Sequence, residues 1–351
     1  KEVYQKSREV ILEDLKKGVF LQEEQECFYI YQQQVQGFSQ IGLVTLVSAQ
    51  DYEDDIIKKH ELTREDKEKD RFNHINLSGA HAEPVFLAYQ GQKEMDALIK
   101  KVIKTPPLYD FNSPDKVKNT LWKVEKKEDI LLIQEVFKNQ VPTLYIADGH
   151  HRAKASCLTA NYRKENNSNH TGQEPYNFFM AVLFSHSQLR ILPYNRVVKT
   201  NLSMQEIIEK VKDSFKVEET NLTQVPNKGQ FLFYAQNKSY LFTFTGKIPD
   251  NPEDKLDVAL SQNLILDPVL GIKNPRTSQN IDFVGGIKDF NFLKGLVDSK
   301  EFQIAIALYP TSLQELFEIS DAGKIMPPKS TWFEPKLKSG LLSFGSNQVD
   351  F

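Results

Sequence analysis

Cysteine is nearly absent from this chain, which has only Cys27 and Cys157 among its 351 residues. Two cysteines cannot form a disulfide framework, so the composition favours a reducing, cytoplasmic compartment. Long apolar runs are absent too. None approaches the ~20 residues that a transmembrane helix needs, so no membrane partner is expected.

No charge of one sign dominates, because 44 basic residues face 47 acidic ones for a net charge of −3. A protein that binds nucleic acid usually carries a basic patch, and no helix-turn-helix pattern is visible either. We therefore expect no nucleic acid as a partner. The sequence does not indicate an oligomeric state.

Several catalytic motifs are missing. The chain has no GxxxxGKS/T loop, no GxGxxG turn and no HRD/DFG pair, which excludes the P-loop and protein-kinase nucleotide sites. It also has no CxxC, HExxH or GxSxG pattern, so neither those zinc sites nor a serine-hydrolase elbow is expected. What remains is chemistry carried by Lys, Arg, His and a few carboxylates.

The most informative stretch is TLYIADGHHR, residues 143–152. The apolar residues 144–147 predict a buried strand, and Asp148 with Gly149 predicts a turn. Ala153, Cys157 and Ala160 recur at helical spacing and predict a helix that begins at about His150. The first N–H groups of a helix lack internal partners and lie at the positive end of its dipole, so this turn predicts an anion site. The alternative is an ordinary connection in which Asp148 caps the helix.

A second stretch, residues 51–71, is dense in charge. If it is helical, the spacing places four potential cations on one face: His60, Arg64, Lys67 and Arg71. Such a face predicts an anion cradle, with Glu61 and Asp70 as the neighbouring carboxylates. The alternative is a solvated helix face, which is what most charge runs are.

The C-terminal stretch 326–336 contains three prolines and therefore cannot form a regular helix. It carries two lysines and two hydroxyl side chains on a stiff backbone: Lys329, Ser330, Thr331 and Lys336. We interpret it as a rigid loop that offers these groups to phosphate. The alternative is a surface tail anchored by Trp332 and Phe333.

A cluster of cations with a few carboxylates suits phosphoryl transfer. That reaction needs an aligned nucleophile and neutralised phosphoryl oxygens, usually with Mg²⁺ bridging the phosphates. Because no nucleotide motif is present, the donor can be small. Pyrophosphate fits a cup made only of cations and N–H groups.

The DGHHR turn resembles the signature turn of the ParB/sulfiredoxin-related superfamily. More closely, the chain resembles a large bacterial and archaeal family, formerly of unknown function, whose members include pyrophosphate-dependent kinases of free L-serine. The resemblance also rests on KHELTR (59–64), ILPYNR (191–196), LILDPVLGI (264–272) and DAGKIMPPKSTWFEPK (321–336), and it covers almost the whole chain. One departure is Asn195, which stands where the family usually has a histidine.

Together with the residue patterns, the resemblance implies a set of site residues. The resemblance alone implies L-serine as the acceptor. The expected catalytic residues are Asp148, Glu61, His151 and Arg152. The expected phosphate ligands are Gly149, His150, Arg64, Lys67, Arg71, Arg196, Lys329, Ser330, Thr331 and Lys336. Serine is expected to contact His60, Glu61 and Thr63. The expected cofactor, Mg²⁺, is assigned to Asp148 and Asp70.

Two carboxylates compete for the role of general base, since a serine hydroxyl must lose its proton as the phosphoryl group arrives. Glu61 has the longer reach and can orient serine. Asp148 lies where the field of the helix N-terminus is most positive. This position suits its carboxylate to binding the metal ion near the phosphoryl group. We favour Glu61 for serine and Asp148 for the metal.

The periodicities predict an α+β protein with mixed sheets flanked by helices. Residues 1–175 are expected to form a ParB-like catalytic part, 176–312 a β-rich second lobe, and 313–351 a helix and tail that return to the active-site cleft. Capping boxes predict helices that begin after Ser203 and after Ser312. The open alternatives are phosphoryl transfer from ATP or ADP, a non-catalytic ParB-like nucleotide-binding or DNA-associated module, and a scaffold.

Overall fold

Two sheets of different construction organise the chain in the computed structural model, which describes residues 2–346. One is a mixed eight-stranded sheet and the other an antiparallel six-stranded sheet, and ten α-helices accompany them, so the α+β prediction is confirmed. Unit 1 comprises the chain up to Leu189 together with the segment from Pro335 onward, and unit 2 is Arg190–Glu334. Within the described residues, no helix is long and apolar enough to cross a membrane.

The helices are α1 (Glu2–Lys16), α2 (Ala49–Glu53), α3 (Glu65–Ser78), α4 (Lys93–Val102), α5 (Lys127–Gln140), α6 (His150–Glu165), α7 (Met204–Val211), α8 (Asp257–Ser261), α9 (Phe290–Asp298) and α10 (Leu313–Asp321). A short π-helix, Gln262–Leu266, follows α8.

The strands of unit 1 and unit 2, in chain order, are β1 (Phe28–Val35), β2 (Phe38–Ser48), β3 (Ile57–Lys58), β4 (Ala80–His81), β5 (Val85–Tyr89), β6 (Tyr109–Asn112), β7 (Lys118–Val124), β8 (Leu144–Asp148), β9 (Phe178–Ser185), β10 (Ile191–Leu192), β11 (Tyr194–Val198), β12 (Phe215–Thr220), β13 (Gln230–Ala235), β14 (Lys238–Phe244), β15 (Ile281–Gly285), β16 (Ile304–Leu308), β17 (Trp332–Phe333) and β18 (Phe344–Gly345).

The sheet of unit 1 has the order β3-β8-β5-β9-β2-β1-β7-β6. It is mixed because β3 pairs with β8 and β5 with β9 in parallel, whereas the other neighbours are antiparallel. The central strands read as continuous apolar runs, as expected for strands buried on both faces. Leu87, Ile146 and Leu183 are nearly inaccessible and belong to one hydrophobic core.

Helix α6 begins directly after β8, as the sequence predicted. Its buried residues include Ala153, Cys157 and Ala160, which are the residues whose helical spacing predicted this helix. Because these residues fix the helix against the core, the N-terminus of α6 is held at the end of a buried strand.

The last described residues of unit 1, 335–346, form a largely irregular segment that we name the C-terminal strap. The N–H of Gly340 donates to the carbonyl of Ala82 (2.9 Å), and β18 pairs with β4. The N–H of Ser346 donates to the carbonyl of Gly79 (2.8 Å). These backbone bonds hold the strap against the rest of unit 1.

Unit 2 contains the antiparallel sheet β12-β14-β13-β16-β11-β15, with its core around Leu232, Leu293 and Ala305. Both predicted capping boxes are present, at the starts of α7 and α10. Pro193 separates β10 from β11, because proline has no N–H to donate to a sheet.

Candidate functional site

The turn between β8 and α6 depends on Gly149, which has φ +99° and precedes the first helical residue. A side chain is strained in this left-handed region, and a Cβ here would lie 3.0 Å from guanidinium nitrogens of Arg152. The helix begins where the N–H of Ala153 donates to the carbonyl of Gly149 at 2.9 Å. Glycine therefore allows both the sharp turn and the close approach of Arg152.

The guanidinium of Arg152 is held from two sides. Its Nη2 donates to Oδ2 of Asp148 at 3.0 Å, and its Nη1 donates to the carbonyl of Pro84 at 2.6 Å. Oε2 of Glu83 lies 3.6 Å from Nη1. The loop before β5 thus orients this cation at the start of α6, a contribution that no local pattern around Glu83 and Pro84 indicated.

The Asp148 carboxylate lies between two cations. Arg152 binds Oδ2, and the amine of Lys336, on the C-terminal strap, lies 3.4 Å from Oδ1. The side chain of Asp148 is 40% exposed, so an incoming ligand can reach this cluster. The structure thereby brings together three predicted site residues, of which Lys336 is far from the other two in sequence.

His60 and His150 form a buried pair, with ring centroids 4.4 Å apart in an edge-to-face arrangement. Burial lowers the pKa of His60 to about 4, although the nearby Asp148 charge opposes this. Burial also lowers the pKa of His150 well below its ordinary value, with further lowering by the neighbouring His60. Both rings are therefore uncharged at neutral pH, and neither supplies a positive charge to a phosphate.

This pair should make the stability of the protein depend on pH. A group whose folded pKa is lowered stabilises the fold above its unfolded pKa, here 6.5 for His60, and that stability is lost as the pH falls toward 4. We expect His60 alone to contribute a loss of about 2 kcal/mol between pH 7 and pH 5. Urea unfolding at the two pH values measures it, and His60→Gln should show a smaller loss. Equal stability of the unmodified protein at both pH values would contradict this.

Glu61 and His151 lie beside this pair at the surface. Oε2 of Glu61 is 3.7 Å from Nδ1 of His150, and the Glu61 side chain is 44% exposed. Nε2 of His151 accepts the N–H of Arg64 at 3.1 Å, which places the imidazole proton on Nδ1. Partial burial lowers the pKa of His151, with the charge of Glu61 acting in the opposite direction.

The predicted four-cation helix face is wrong, because two of its four members lie outside α3. Helix α3 begins only at Glu65, so His60 lies outside it and is buried, and Arg64 is the residue before the first helical turn. The helix begins late because Arg64 has extended backbone angles. Lys67 and Arg71 are exposed, one turn apart on α3.

The remaining predicted residues of this region have local partners. Arg64 forms an exposed ion pair with Asp66 at 2.9 Å. The hydroxyl of Thr63 donates to Glu68 of α3. Asp70 accepts a hydrogen bond from the hydroxyl of Tyr4 at 2.6 Å, so it is joined to α1.

The predicted Mg²⁺ ligands fit only in part. Among residues 2–346, no group of three or more His, Cys, Asp or Glu side chains is arranged to hold a metal ion. Mg²⁺ is often held by one or two carboxylates together with substrate phosphates, and the exposed Asp148 carboxylate suits that mode. Asp70 has its contact with Tyr4 instead.

The other predicted phosphate ligands lie in unit 2. Arg196 is buried, its Nη2 donates to the carbonyl of Lys329 at 3.0 Å, and its guanidinium lies over the ring of Phe283. Burial lowers the pKa of Arg196 to about 9. The amine of Lys329 lies over the ring of Tyr194, 5.3 Å from its centroid. Unit 2 therefore brings Arg196 and Lys329 together.

Ser330 and Asn195 have structural contacts within the same unit. The Ser330 hydroxyl donates to the carbonyl of Pro327 at 2.6 Å, whereas the neighbouring Thr331 is half-buried. The buried Asn195 accepts the N–H of Leu308 on β16 through its Oδ1 at 3.1 Å. Asn195 thus joins β11 to β16, a task that its amide oxygen performs without a titratable group.

The fold and the site define an α+β protein with a strand-turn-helix site in which cations and carboxylates meet. The chain belongs to the family described as "Protein of unknown function (DUF1015)", whose model matches residues 1–259. No curated protein matches the chain.

Several solved structures are similar to the chain at low identity. They include a free serine kinase in complex with AMP, with 14% identity, coverage of 83% of this chain and 86% of that chain, and a TM-score of 0.40. SbnI with a C-terminal truncation, from Staphylococcus aureus, has 11% identity, coverage of 88% and 90%, and a TM-score of 0.41. A conserved hypothetical protein from Pyrococcus furiosus has 15% identity, coverage of 84% and 93%, and a TM-score of 0.39.

Proposed function

We propose that this protein is a kinase that transfers a phosphoryl group from pyrophosphate to the hydroxyl of free L-serine, giving O-phosphoserine and phosphate. The observation that carries the proposal is the placement of Asp148 between Arg152 (3.0 Å) and Lys336 (3.4 Å) at the N-terminus of α6. Phosphoryl transfer depends on positioning and on neutralising charge, and this cluster supplies cations, helix N–H groups and a carboxylate in one place.

Glu61 is the residue we assign to the serine hydroxyl. Its carboxylate is exposed and lies beside the uncharged His150, whereas the oxygens of Asp148 are engaged by two cations. A carboxylate without a competing cation has its lone pairs available for a substrate proton. In the reaction, the serine oxygen bonds to phosphorus as its proton moves to Glu61, and the bridging P–O bond breaks to release phosphate.

Arg152 and Lys336 are the residues we assign to the charge of the phosphoryl group and the leaving phosphate. The first N–H groups of α6 point out of the helix and add further donors. Asp148 is then the carboxylate that would hold Mg²⁺ together with the phosphates. When bound, Mg²⁺ would neutralise charge on the phosphate oxygens.

The assignment of donor and acceptor rests on two further observations. The motifs of the chain resemble those of a family whose members include pyrophosphate-dependent kinases of free L-serine. The site residues in unit 1 are cations, carboxylates and imidazoles, and the sequence has no nucleotide-binding loop. Both favour a small polyanionic donor over a nucleotide.

The test is a donor screen with the purified full chain. L-serine and Mg²⁺ are combined with pyrophosphate, ATP, ADP or polyphosphate, and O-phosphoserine is detected directly by mass spectrometry. We expect phosphoserine with pyrophosphate, and none when D-serine or L-alanine replaces L-serine. If phosphoserine forms only with ATP or ADP, the assignment of pyrophosphate as the donor is wrong. If no donor gives phosphoserine, the proposed kinase activity is wrong.

A further inference from the structure

We propose that Gln33 and Gln40 are positioning residues, whose buried amides hold the start of the C-terminal strap and so place the Lys336 amine beside Asp148. This rests on the proposed function, because it assigns a purpose to the position of Lys336. Gln33 and Gln40 touch no candidate reacting group themselves, and they act through the strap.

The contacts are direct. The amide nitrogen of Gln33 donates to the carbonyl of Lys336 at 3.0 Å, and that of Gln40 donates to the carbonyl of Pro335 at 3.0 Å. Two successive carbonyls of the strap are therefore held by two side chains. Since the backbone of Lys336 is fixed in this way, its side chain starts from one defined point toward Asp148.

The two glutamines are neighbours in the sheet. Gln33 of β1 is paired with Gln40 of β2, and on its other side with Asn119 of β7. The amide nitrogen of Gln40 also donates to Oε1 of Gln33 at 3.0 Å, and that of Gln33 donates to Oδ1 of Asn119 at 3.3 Å. All four amide hydrogens of the two glutamines are thus used, two of them on the strap.

Burial makes these contacts costly to lose. Gln33 and Asn119 are 0% exposed and Gln40 is 1% exposed, so water is not available to replace a missing partner. A buried amide without a hydrogen-bond partner is strongly disfavoured. A row of fully buried amides in the middle of a sheet is unusual, and the carbonyls of the strap supply the partners that it needs.

One further contact fixes the row, and another fixes the strap. The hydroxyl of Tyr31, which is 2% exposed, donates to Oδ1 of Asn119 at 2.6 Å. Lys338, two residues beyond Lys336, forms an ion pair with Asp115. The strap is therefore anchored before and after the point where its lysine extends toward Asp148.

A purely structural role predicts a different result from a positioning role. If Gln33 and Gln40 only stabilise the fold, their loss lowers stability and leaves the affinity for pyrophosphate in the folded protein unchanged. If they act through Lys336, their loss changes the environment of the Lys336 amine and raises KM for pyrophosphate. The rise in KM should also vanish when the Lys336 side chain has been replaced.

The experiment uses Gln33→Met and Gln40→Met in the full chain, with Gln32→Met as the matched control. Gln32 is on the same strand, but its amide donates to Ser39 on the exposed side. The first readout is acetylation of Lys336 by acetic anhydride, followed by mass spectrometry, because its 41% exposed amine is accessible to the reagent. We expect faster labelling of Lys336 in both test variants and no change in the control.

The second readout is steady-state kinetics with pyrophosphate. Misplacement of the lysine should raise KM for pyrophosphate by roughly tenfold or more in Gln33→Met and Gln40→Met. In a Lys336→Met background the same substitutions should add nothing. If the Gln33→Met variant does not fold, the same measurements are made on Gln40→Met. A further variant, Lys338→Met, loosens the strap without disturbing the buried row.

The outcomes separate this proposal from the proposed function. Unchanged Lys336 labelling in the folded test variants would overturn the positioning role, as would a rise in KM that persists fully in the Lys336→Met background. If the unmodified protein transfers no phosphoryl group from any donor, the proposed kinase function is wrong. The labelling experiment then still decides whether the glutamines place Lys336.

Discussion

Replacing Glu61 with glutamine is expected to reduce the rate of serine phosphorylation by ~10²–10⁴-fold, the usual contribution of a positioned general base. Glutamine keeps the shape of the side chain but cannot take the hydroxyl proton. The effect should lie in kcat and in the use of serine, since we assign Glu61 to the acceptor and its carboxylate lies beside His150 rather than between Arg152 and Lys336. Initial rates at varied serine and saturating pyrophosphate measure it.

The matched control is Glu65→Gln, which removes a carboxylate of the same kind at the exposed first position of α3. The melting temperature should change little in either variant, because Glu61 is 44% exposed and substitutions of exposed residues usually cost less than ~0.5 kcal/mol. A Glu61→Gln enzyme with the unmodified rate would remove Glu61 from the mechanism and leave Asp148 as the remaining candidate base.

Replacing Arg152 with alanine is expected to lower kcat/KM for pyrophosphate by ~10³-fold or more, as removal of a charged phosphate clamp can do. Arg152 is fixed by Asp148 and by the carbonyl of Pro84, so its charge is already oriented before a ligand binds. Arg152→Lys should recover little, because a lysine cannot reproduce the fork of donors. Steady-state kinetics at varied pyrophosphate measure both variants.

Lys164→Ala is the control for Arg152, since Lys164 is an exposed cation on the last turn of the same helix. It should retain the unmodified kinetics. Near-normal use of pyrophosphate by a folded Arg152→Ala protein would show that the cluster at the start of α6 does not bind the donor. The circular dichroism spectrum and the melting temperature establish that the variant is folded.

The sequence predicted well those features that depend on neighbouring residues. The turn from β8 to α6 could be read from an apolar run, an Asp-Gly turn and a helical spacing of small residues after His150. Both capping boxes were also predicted, because the Ser and Glu that form each box are three residues apart. The grouping of Asp148 and Arg152 likewise follows from their short separation, since four residues of sequence join them across the turn from β8 to α6.

Residue spacing gave a wrong prediction where the start of the helix was not known. The four-cation face assumed that His60 and Arg71 share one helix, but the extended backbone at Arg64 delays the helix until Glu65. The burial of His60, and with it the uncharged state of the pair with His150, results from packing between segments that are distant in sequence. No sequence pattern around His60 or around His150 predicts that these side chains are buried.

Tertiary structure alone decided how the site is completed. Lys336 reaches Asp148 because the strap returns to unit 1, and the strap is held by a row of amides that exists only once β2, β1 and β7 are paired in register. Residues 83–84 meet Arg152 by the same kind of long-range assembly. Local sequence specifies turns and helix starts through short-range hydrogen bonds, whereas such contacts depend on strand pairing and burial across the whole unit.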